Sequence, residues 1–237
     1  VYVGNQIDSY FSCRSNSEPE ELNLPEDDHA FKSQYFNSSN HIKILTHGWL
    51  SSGKTGWLLK IKDAFIRTHD FNVIIVDWSE LAKNPAYPWS AFSTRYVGKK
   101  TAKMIDAIAS AYQIDGKYMH LIGHSLGSHV MGYSSLFSHQ RIHRITGSLD
   151  PARPLFELPL MNKNCRLDKS DAEFVDIIHS CAGLYGYKRS HGHADFYPNN
   201  GKAKQPGCDG LQQVIGSDHI YLKYMLSANN SALRYYS

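Results

Sequence analysis

The sequence has no long apolar run, few cysteines and no cluster of basic residues. No stretch of eighteen or more apolar residues occurs in the 237 residues, so the sequence predicts no transmembrane helix. The four cysteines include no Cys-x-x-Cys pair, which argues against a zinc ribbon or a thioredoxin-like redox site. The net charge is only +3, without the dense basic patch that binds nucleic acid, so no nucleic-acid partner is expected.

What the sequence does contain suits one folded unit. Hydrophobic residues make up 42% of the chain, enough to bury a substantial core. No internal repeat or low-complexity tract interrupts the pattern. We therefore expect a single domain over residues 1–237, whose mild positive charge permits attraction to an anionic lipid surface.

The even number of cysteines permits two disulfide bridges. Cys165 and Cys181 flank a predicted strand, which favours a bridge between them. Cys13 and Cys208 would then form the remaining pair. Reduced, buried thiols are the alternative.

Two glycosylation sequons point to the secretory pathway. Asn37 begins "NSS" and Asn229 lies in "NNS", and both would be used only outside the cytoplasm. Together with the cysteine count they favour a secreted, extracellular glycoprotein. The first residues, "VYVGNQIDSY", show no basic region followed by an apolar stretch, so no signal peptide is expected within them.

After a polar stretch of forty residues, segments with the hydrophobic spacing of strands alternate with segments that have the spacing of helices. Helical spacing predicts helices over 91–112 and from Leu126 to about Phe137. Strands and helices in alternation indicate an α/β fold with a mostly parallel sheet. Short apolar, β-branched runs predict the strands, at 41–49, 72–78, 118–123, 144–150 and 174–179.

One serine stands between two glycines directly after a predicted strand. The stretch "HLIGHSLGSHVMGYSS", residues 120–135, contains Gly-x-Ser-x-Gly centred on Ser125, with a predicted helix behind it. This is the pattern of a nucleophile elbow, in which the glycines permit a strained turn that exposes the serine oxygen. A glycine-rich turn would share the composition, but the strand before and the helix after Ser125 favour a nucleophile.

A serine nucleophile needs a base and an acid that orients the base. The strand–serine order calls for an acid next and a histidine last. Asp150 ends the predicted strand in "RITGSLDPARP", although an Asp-Pro turn explains the same residue. Position in the chain favours His219 as the base, and spacing alone leaves His193 open. Of the other histidines after Asp150, His179 lies inside a predicted strand and is typical of a core residue, and His191 accompanies His193 in a loop.

Seven segments resemble the pancreatic-lipase-like family in sequence and in order. They are "ILTHGW", "VIIVDW", "HLIGHSLGSHVMG", "RITGSLDPARPLF", "CRLDKSDAEFVDIIHS", "GHADFYPNNG" and "QPGC", within roughly residues 40 to 225. The resemblance implies an α/β-hydrolase fold and hydrolysis of lipid esters at a membrane or lipoprotein surface. No C-terminal β-sandwich domain follows in this sequence, so no colipase-type partner is expected.

The resemblance also assigns roles to individual residues. It implies Ser125 as the nucleophile, Asp150 as the acid and His219 as the base, while "GHADFYP" matches a structural strand and demotes His193. The backbone N–H groups of Trp49 and Leu126 would form the oxyanion hole, which stabilises the negative charge of the transition state.

A calcium site is implied by the same resemblance. "RLDKSD" resembles a calcium-binding segment, with Asp168 and Asp171 as carboxylate ligands and backbone carbonyls near Arg166 completing the shell. Two solvated acids beside Lys169 are the alternative. No cofactor is expected to be required for the reaction, and calcium would have a structural role.

Three features depart from the family pattern: two short loops bear on the substrate, and the helix after the base bears on whether the protein is a catalyst. Only ten residues separate Cys208 from His219, and only eleven separate Ser180 from Gly192, so both loops are short. Both shortenings resemble the phospholipase A1 branch, which we place ahead of triacylglycerol lipase. The helix after the base reads "HIYLKY" and lacks an arginine that relatives place there. A lipase-like storage, yolk or lipid-binding protein with little or no catalysis is therefore the alternative function.

Overall fold

A mostly parallel β-sheet runs through the protein. The structure, a computed structural model, describes residues 7–16, 18–22 and 33–203. Its strands are β1 Asp8–Ser12, β2 Glu20–Glu21, β3 Ile42–Thr46, β4 Asn72–Asp77, β5 Met119–His124, β6 Arg144–Leu149, β7 Phe174–Ile178 and β8 Ala194–Phe196.

The order of the strands places the predicted ones at the centre. Among the described residues the sheet has eight strands, in the order β2-β1-β4-β3-β5-β6-β7-β8. The strands from β4 to β8 along this order run parallel, and the antiparallel pairs are those that β1 forms with β2 and with β4. The carboxyl ends of β3 to β8 therefore lie at one edge, where ligands bind in open α/β sheets.

Helices cover both faces of this sheet. The helices are α1 Gly56–Thr68, α2 Ser79–Ala82, α3 Tyr87–Tyr112 and α4 Leu126–Phe137. In β3, Ile42 and Ile44 pack in the core that includes α3 and α4, whereas Leu45 packs in the core that includes α1. Because successive residues of a strand point to opposite faces, strands buried on both sides read as nearly continuous apolar runs.

The predicted elements are confirmed, and others were missed. The helix predicted over 91–112 begins earlier, at Tyr87, because Pro88 occupies its first turn, a position that tolerates proline. Helix α1 and the two antiparallel strands were not predicted. Strand β1 lies next to the edge of the sheet in a polar segment, and the edge strand β2 has only two residues, so neither carries a readable period. No helix within the described ranges is long and apolar enough to span a membrane.

Candidate active site

Ser125 occupies a strained turn between β5 and α4. Its backbone has φ +53° and ψ −119°, a conformation that side chains rarely adopt. The flanking glycines are required by close approach: a Cβ on Gly123 would lie 2.4 Å from the carbonyl oxygen of Gly127. A Cβ on Gly127 would lie 2.4 Å from the carbonyl oxygen of His47. The structure therefore forms the elbow that the motif predicts.

The loop after β3 passes directly beside this serine. A Cβ on Gly48 would lie only 2.7 Å from the Cβ of Ser125. The next residue, Trp49, is half-buried, and its indole N–H donates to the carbonyl of Asn84 at 2.8 Å. On the other side of Ser125, Leu126 opens α4, whose first N–H groups have no partner inside the helix. Gly48 thus lies against Ser125 with Trp49 next in the chain, and Leu126 follows Ser125 directly; their function as oxyanion donors stays a prediction.

A buried histidine that none of the catalytic motifs indicates fixes that loop. His47 is fully buried, and its Nε2 lies 3.0 Å from Oδ1 of Asp77 at the end of β4. Its ring stacks on Trp78, whose indole N–H donates to the carbonyl of His47 at 3.0 Å. Burial favours a raised pKa for Asp77, but the hydrogen bonds from His47 and Ser79 lower it to about 2. The signal for this pair was an Asp at the end of "NVIIVD".

Asp150 follows β6 and is held by the segment after β7. It is buried, and its φ of +56° is again strained for a residue with a side chain. Oδ1 accepts the backbone N–H of Ser180 at 2.7 Å and of Cys181 at 2.8 Å. The hydroxyl of Ser180 donates to Oδ2. Burial raises the pKa of Asp150, and these hydrogen bonds oppose the rise.

The backbone connects the acid segment to the elbow. The N–H of Ala152 donates to the carbonyl of Ser125 at 3.2 Å. A Cβ on Gly186 would lie 2.7 Å from Oδ1 of Asp150, so the loop after β7 closes over the carboxylate. Ser125 and Asp150 therefore share the carboxyl edge of the sheet. His219 lies outside the described residues, as do Cys208 and Asn229.

The other histidines after Asp150 have structural partners. His179 is fully buried, with Nδ1 3.0 Å from the carbonyl of Tyr187 and Nε2 2.7 Å from Asp195, as expected of a core residue. His193 accepts the N–H of Val175 at 3.0 Å through Nδ1 and leads into β8. The reading of "GHADFYP" as a structural strand is thus confirmed.

The acids of the predicted calcium segment cap one turn. The carboxylate of Asp168 accepts the N–H of Ser170 at 3.2 Å, and the carboxylate of Asp171 accepts the N–H of Asp168 at 2.9 Å. Burial raises the pKa of Asp171 to about 7; the hydrogen bond from the backbone N–H of Asp168 opposes this rise, and the negative charge of Asp168 adds to it. Asp168 also forms an ion pair with the guanidinium of Arg166 at 3.2 Å. Among the described residues no group of three or more His, Cys, Asp or Glu side chains could hold a metal ion, so a calcium ion at Asp168 and Asp171 would need backbone carbonyls to complete its shell.

The predicted bridge between Cys165 and Cys181 is wrong in this structure. Both are free thiols, as is Cys13. Cys165 lies in a turn against α4, where its carbonyl accepts the hydroxyl of Tyr133 at 2.8 Å. Cys181 instead turns toward Asp150 at the carboxyl end of β7. Flanking the same strand in sequence therefore does not bring the two sulfurs together.

The fold and the elbow define the protein as an α/β hydrolase. A family model described as Lipase matches residues 3–237. The chain belongs to this family, in its pancreatic-lipase-like group.

Several relatives show how far the similarity extends. The chain is 32% identical to pancreatic triacylglycerol lipase of Equus caballus, over 91% of this chain and 48% of that protein. It is 37% identical to lipoprotein lipase of Gallus gallus, over 86% and 42%. It is 40% identical to lipase member H of Xenopus tropicalis, over 88% and 44%. The chain thus spans about half the length of these relatives.

Proposed function

We propose that the protein is a secreted carboxylic-ester hydrolase acting on lipid through Ser125, Asp150 and His219. The observation that carries the proposal is the strained turn at Ser125, with Gly48 packed against it and the N-terminus of α4 behind it. Backbone strain of this kind persists at functional sites because the surrounding structure holds it. Membership of the lipase family supports the same chemistry.

In the proposed reaction His219 takes the proton of the Ser125 hydroxyl as the oxygen attacks the ester carbonyl. Asp150 orients the imidazole and stabilises its positive charge. The N–H groups of Trp49 and Leu126 stabilise the oxyanion, a contribution of about 2.7–4 kcal/mol for each donor. His219 then returns the proton to the leaving alcohol, and a water activated by the same imidazole hydrolyses the acyl-enzyme.

Exposed apolar side chains around the site support a lipid substrate. Leu50 follows β3 and is 59% exposed, and Phe92 in α3 is 72% exposed. These segments are in contact, because the ring of Trp49, next to Leu50, lies 5.2 Å from that of Tyr87 at the start of α3, whose hydroxyl donates to the carbonyl of Pro154. Large exposed apolar surfaces mark sites of contact with membranes or other partners.

Within this proposal we favour phospholipase A1 activity over triacylglycerol lipase activity. The supporting feature is the short loop between Ser180 and Gly192. Its first part folds back on itself, since the N–H of Gly186 donates to the carbonyl of Cys181 and the N–H of Gly183 to that of Gly186. We expect a loop this short to leave room beside the site for a phospholipid headgroup.

A structural calcium ion is part of the proposal but not of the reaction. Asp168 and Asp171 would hold it, and it would supply charge compensation for two adjacent carboxylates. Glycosylation of Asn37, which is exposed, also remains a prediction.

Hydrolysis assays with Ser125→Ala test the function. We expect the variant to lose activity by a factor of about 10⁶, because the triad acts as a unit. Ser134→Ala is the matched control, since Ser134 is a buried serine of α4 whose hydroxyl bonds within its own helix. Fatty acid released from the sn-1 position of phospholipid, in preference to triacylglycerol, is the expected product.

Two outcomes would contradict the proposal. Equal activity in wild type and Ser125→Ala would remove the nucleophile. A folded wild-type protein that binds lipid vesicles without hydrolysing any ester would favour a storage or lipid-binding function.

A further inference from the structure

A buried glutamate joins two loops that border the candidate active site. Glu157 follows β6 and is 8% exposed. Its carboxylate accepts the backbone N–H of Lys188 at 2.9 Å and of Arg189 at 2.8 Å. Nε of Arg153 donates to it at 3.1 Å, and Nε2 of His191 lies 3.3 Å away. We call Glu157 with these four partners the Glu157 clasp.

Arg153 extends the clasp along the second loop. Its guanidinium donates to the carbonyl of Gly183 at 2.7 Å, and its backbone N–H donates to that of Tyr185 at 2.8 Å. Burial acts to raise the pKa of Glu157, but the hydrogen bonds outweigh it and the pKa is lowered. The carboxylate is therefore ionised at neutral pH and holds the two loops against each other.

The clasped loops carry exposed apolar side chains with a basic margin. Charged residues on the same loops, Lys163, Lys188 and Arg189, are exposed, and Lys188 runs along Gly183, where a Cβ would lie 3.5 Å from its side chain. We call the apolar set the apolar ledge: Leu158, Leu160, Met161, Leu184 and Tyr185, each between 36% and 61% exposed.

This combination matches the surface of an anionic membrane. Apolar side chains enter the boundary between headgroups and acyl chains, while lysine and arginine pair with anionic headgroups. We propose that Glu157 clasps the two loops into one ledge, and that this ledge with its basic margin is the part of the protein that seats on an anionic lipid surface. The inference rests on the proposed function for its placement beside the site.

Vesicle binding without catalysis tests the ledge. In a Ser125→Ala background, co-sedimentation would measure binding to phosphatidylcholine vesicles that contain about 30% phosphatidylserine and so have a clearly negative surface. Vesicles of pure phosphatidylcholine serve for comparison. We expect Leu160→Ser with Leu184→Ser to weaken binding about a hundredfold, roughly tenfold for each leucine withdrawn from lipid. Tyr118→Ser, at an exposed aromatic residue beyond the amino end of β5, is the control and should bind as before.

A second pair of variants tests the clasp itself. In an otherwise wild-type chain, Glu157→Gln should raise the apparent KM on vesicles several-fold, yet leave kcat on a short water-soluble ester unchanged. Glu157→Asp, which keeps the charge, should restore part of the vesicle affinity. Asp176→Asn is the matched control, because Asp176 is also a buried, ion-paired carboxylate but lies at the middle of β7, away from the clasped loops. It should not change vesicle KM.

Several results would overturn the inference. In the binding assay these are unchanged vesicle binding in the double leucine variant, or an equal loss of vesicle binding in Tyr118→Ser. In the kinetic assay it is an equal change of KM in Glu157→Gln and Asp176→Asn. A dimer that the leucine variants convert to monomer would also overturn it. Because the binding assay needs no hydrolysis, failure of the ledge is distinguishable from failure of the proposed activity.

Discussion

Two buried carboxylates on neighbouring strands, Asp176 and Asp150, are held in different ways. Asp176 lies within β7, and both of its oxygens accept from the guanidinium of Arg144 at 2.9 Å. Asp150 stands just beyond the end of β6 and accepts from two backbone N–H groups and a hydroxyl, which are all neutral. Asp176 is thus paired with a fixed cation, whereas the hydrogen-bond donors to Asp150 among the described residues are neutral dipoles.

The residues around the two carboxylates also differ: Asp176 lies in an extended polar network, and Asp150 in a strained turn. Asp176 belongs to a polar chain that crosses four strands on the α1 face: Thr146 donates to Asp176, and His120 lies between Thr146 and Lys43. Asp150 instead has a strained backbone and a loop closed over it. A fixed ion pair stabilises the fold, whereas neutral donors leave a carboxylate able to stabilise a cation that forms during a reaction.

The largest expected effect separates these roles by activity. Asp150→Asn should lower kcat by about 10⁴, because the base loses its orienting charge. Asp176→Asn should leave kcat nearly unchanged. Both are measured on a soluble ester, and a similar fall in the two variants would break the comparison.

Stability should change in the opposite order. Asp176→Asn leaves the guanidinium of Arg144 without its partner and should cost about 3–5 kcal/mol of unfolding free energy. Asp150→Asn should cost less, since an amide oxygen can still accept the two N–H groups and burial no longer opposes a charge. Denaturant unfolding checks this, and a greater loss in Asp150→Asn would contradict it.

The pH dependence of stability tests the buried end of the polar chain to which Asp176 belongs, at Lys43. Burial lowers the pKa of Lys43 to about 7, so above that pH the unfolded chain binds more protons than the folded chain. Stability should therefore rise from pH 7 to 9, by at most about 1.4 kcal/mol per pH unit. Lys43→Met should remove this rise, while the exposed Lys117→Met keeps it. Parallel profiles for wild type and Lys43→Met would exclude the effect.

The smallest expected effect concerns Asp171, a half-buried carboxylate. Calcium at ten times its dissociation constant should stabilise the protein by about 1.4 kcal/mol at pH 8. The gain should shrink at pH 6, because the pKa of Asp171 is raised to about 7 and protonation competes with the ion. Thermal unfolding with calcium and with chelator measures it. Asp171→Asn should abolish the response, and the exposed Asp63→Asn should not.

The parts of the site that could be predicted are those that local sequence encodes. Ser125 follows from a motif joined to a strand and a helix, and Asp150 from its place after a strand. Strand β4 and helix α3 follow from their periodicity. These signals lie within a few residues of the feature they predict.

The missed parts depend on contacts between distant segments. His47 and Asp77 are thirty residues apart in sequence, and Glu157 and Lys188 are thirty-one apart. Each of these residues alone is an ordinary polar side chain, and only the crossover connections of a parallel sheet bring the partners together. The error about Cys165 and Cys181 has the same origin, since proximity was inferred from one flanked strand.

Peptide mapping after reaction with a fluorophosphonate tests the central claim most directly, namely that Ser125 is a nucleophile activated by His219 and Asp150. The reagent should phosphonylate Ser125 in wild type and in His193→Ala, and far more slowly in His219→Ala and Asp150→Asn. Label on another residue, or equal labelling of Ser125 in His219→Ala, would contradict the account.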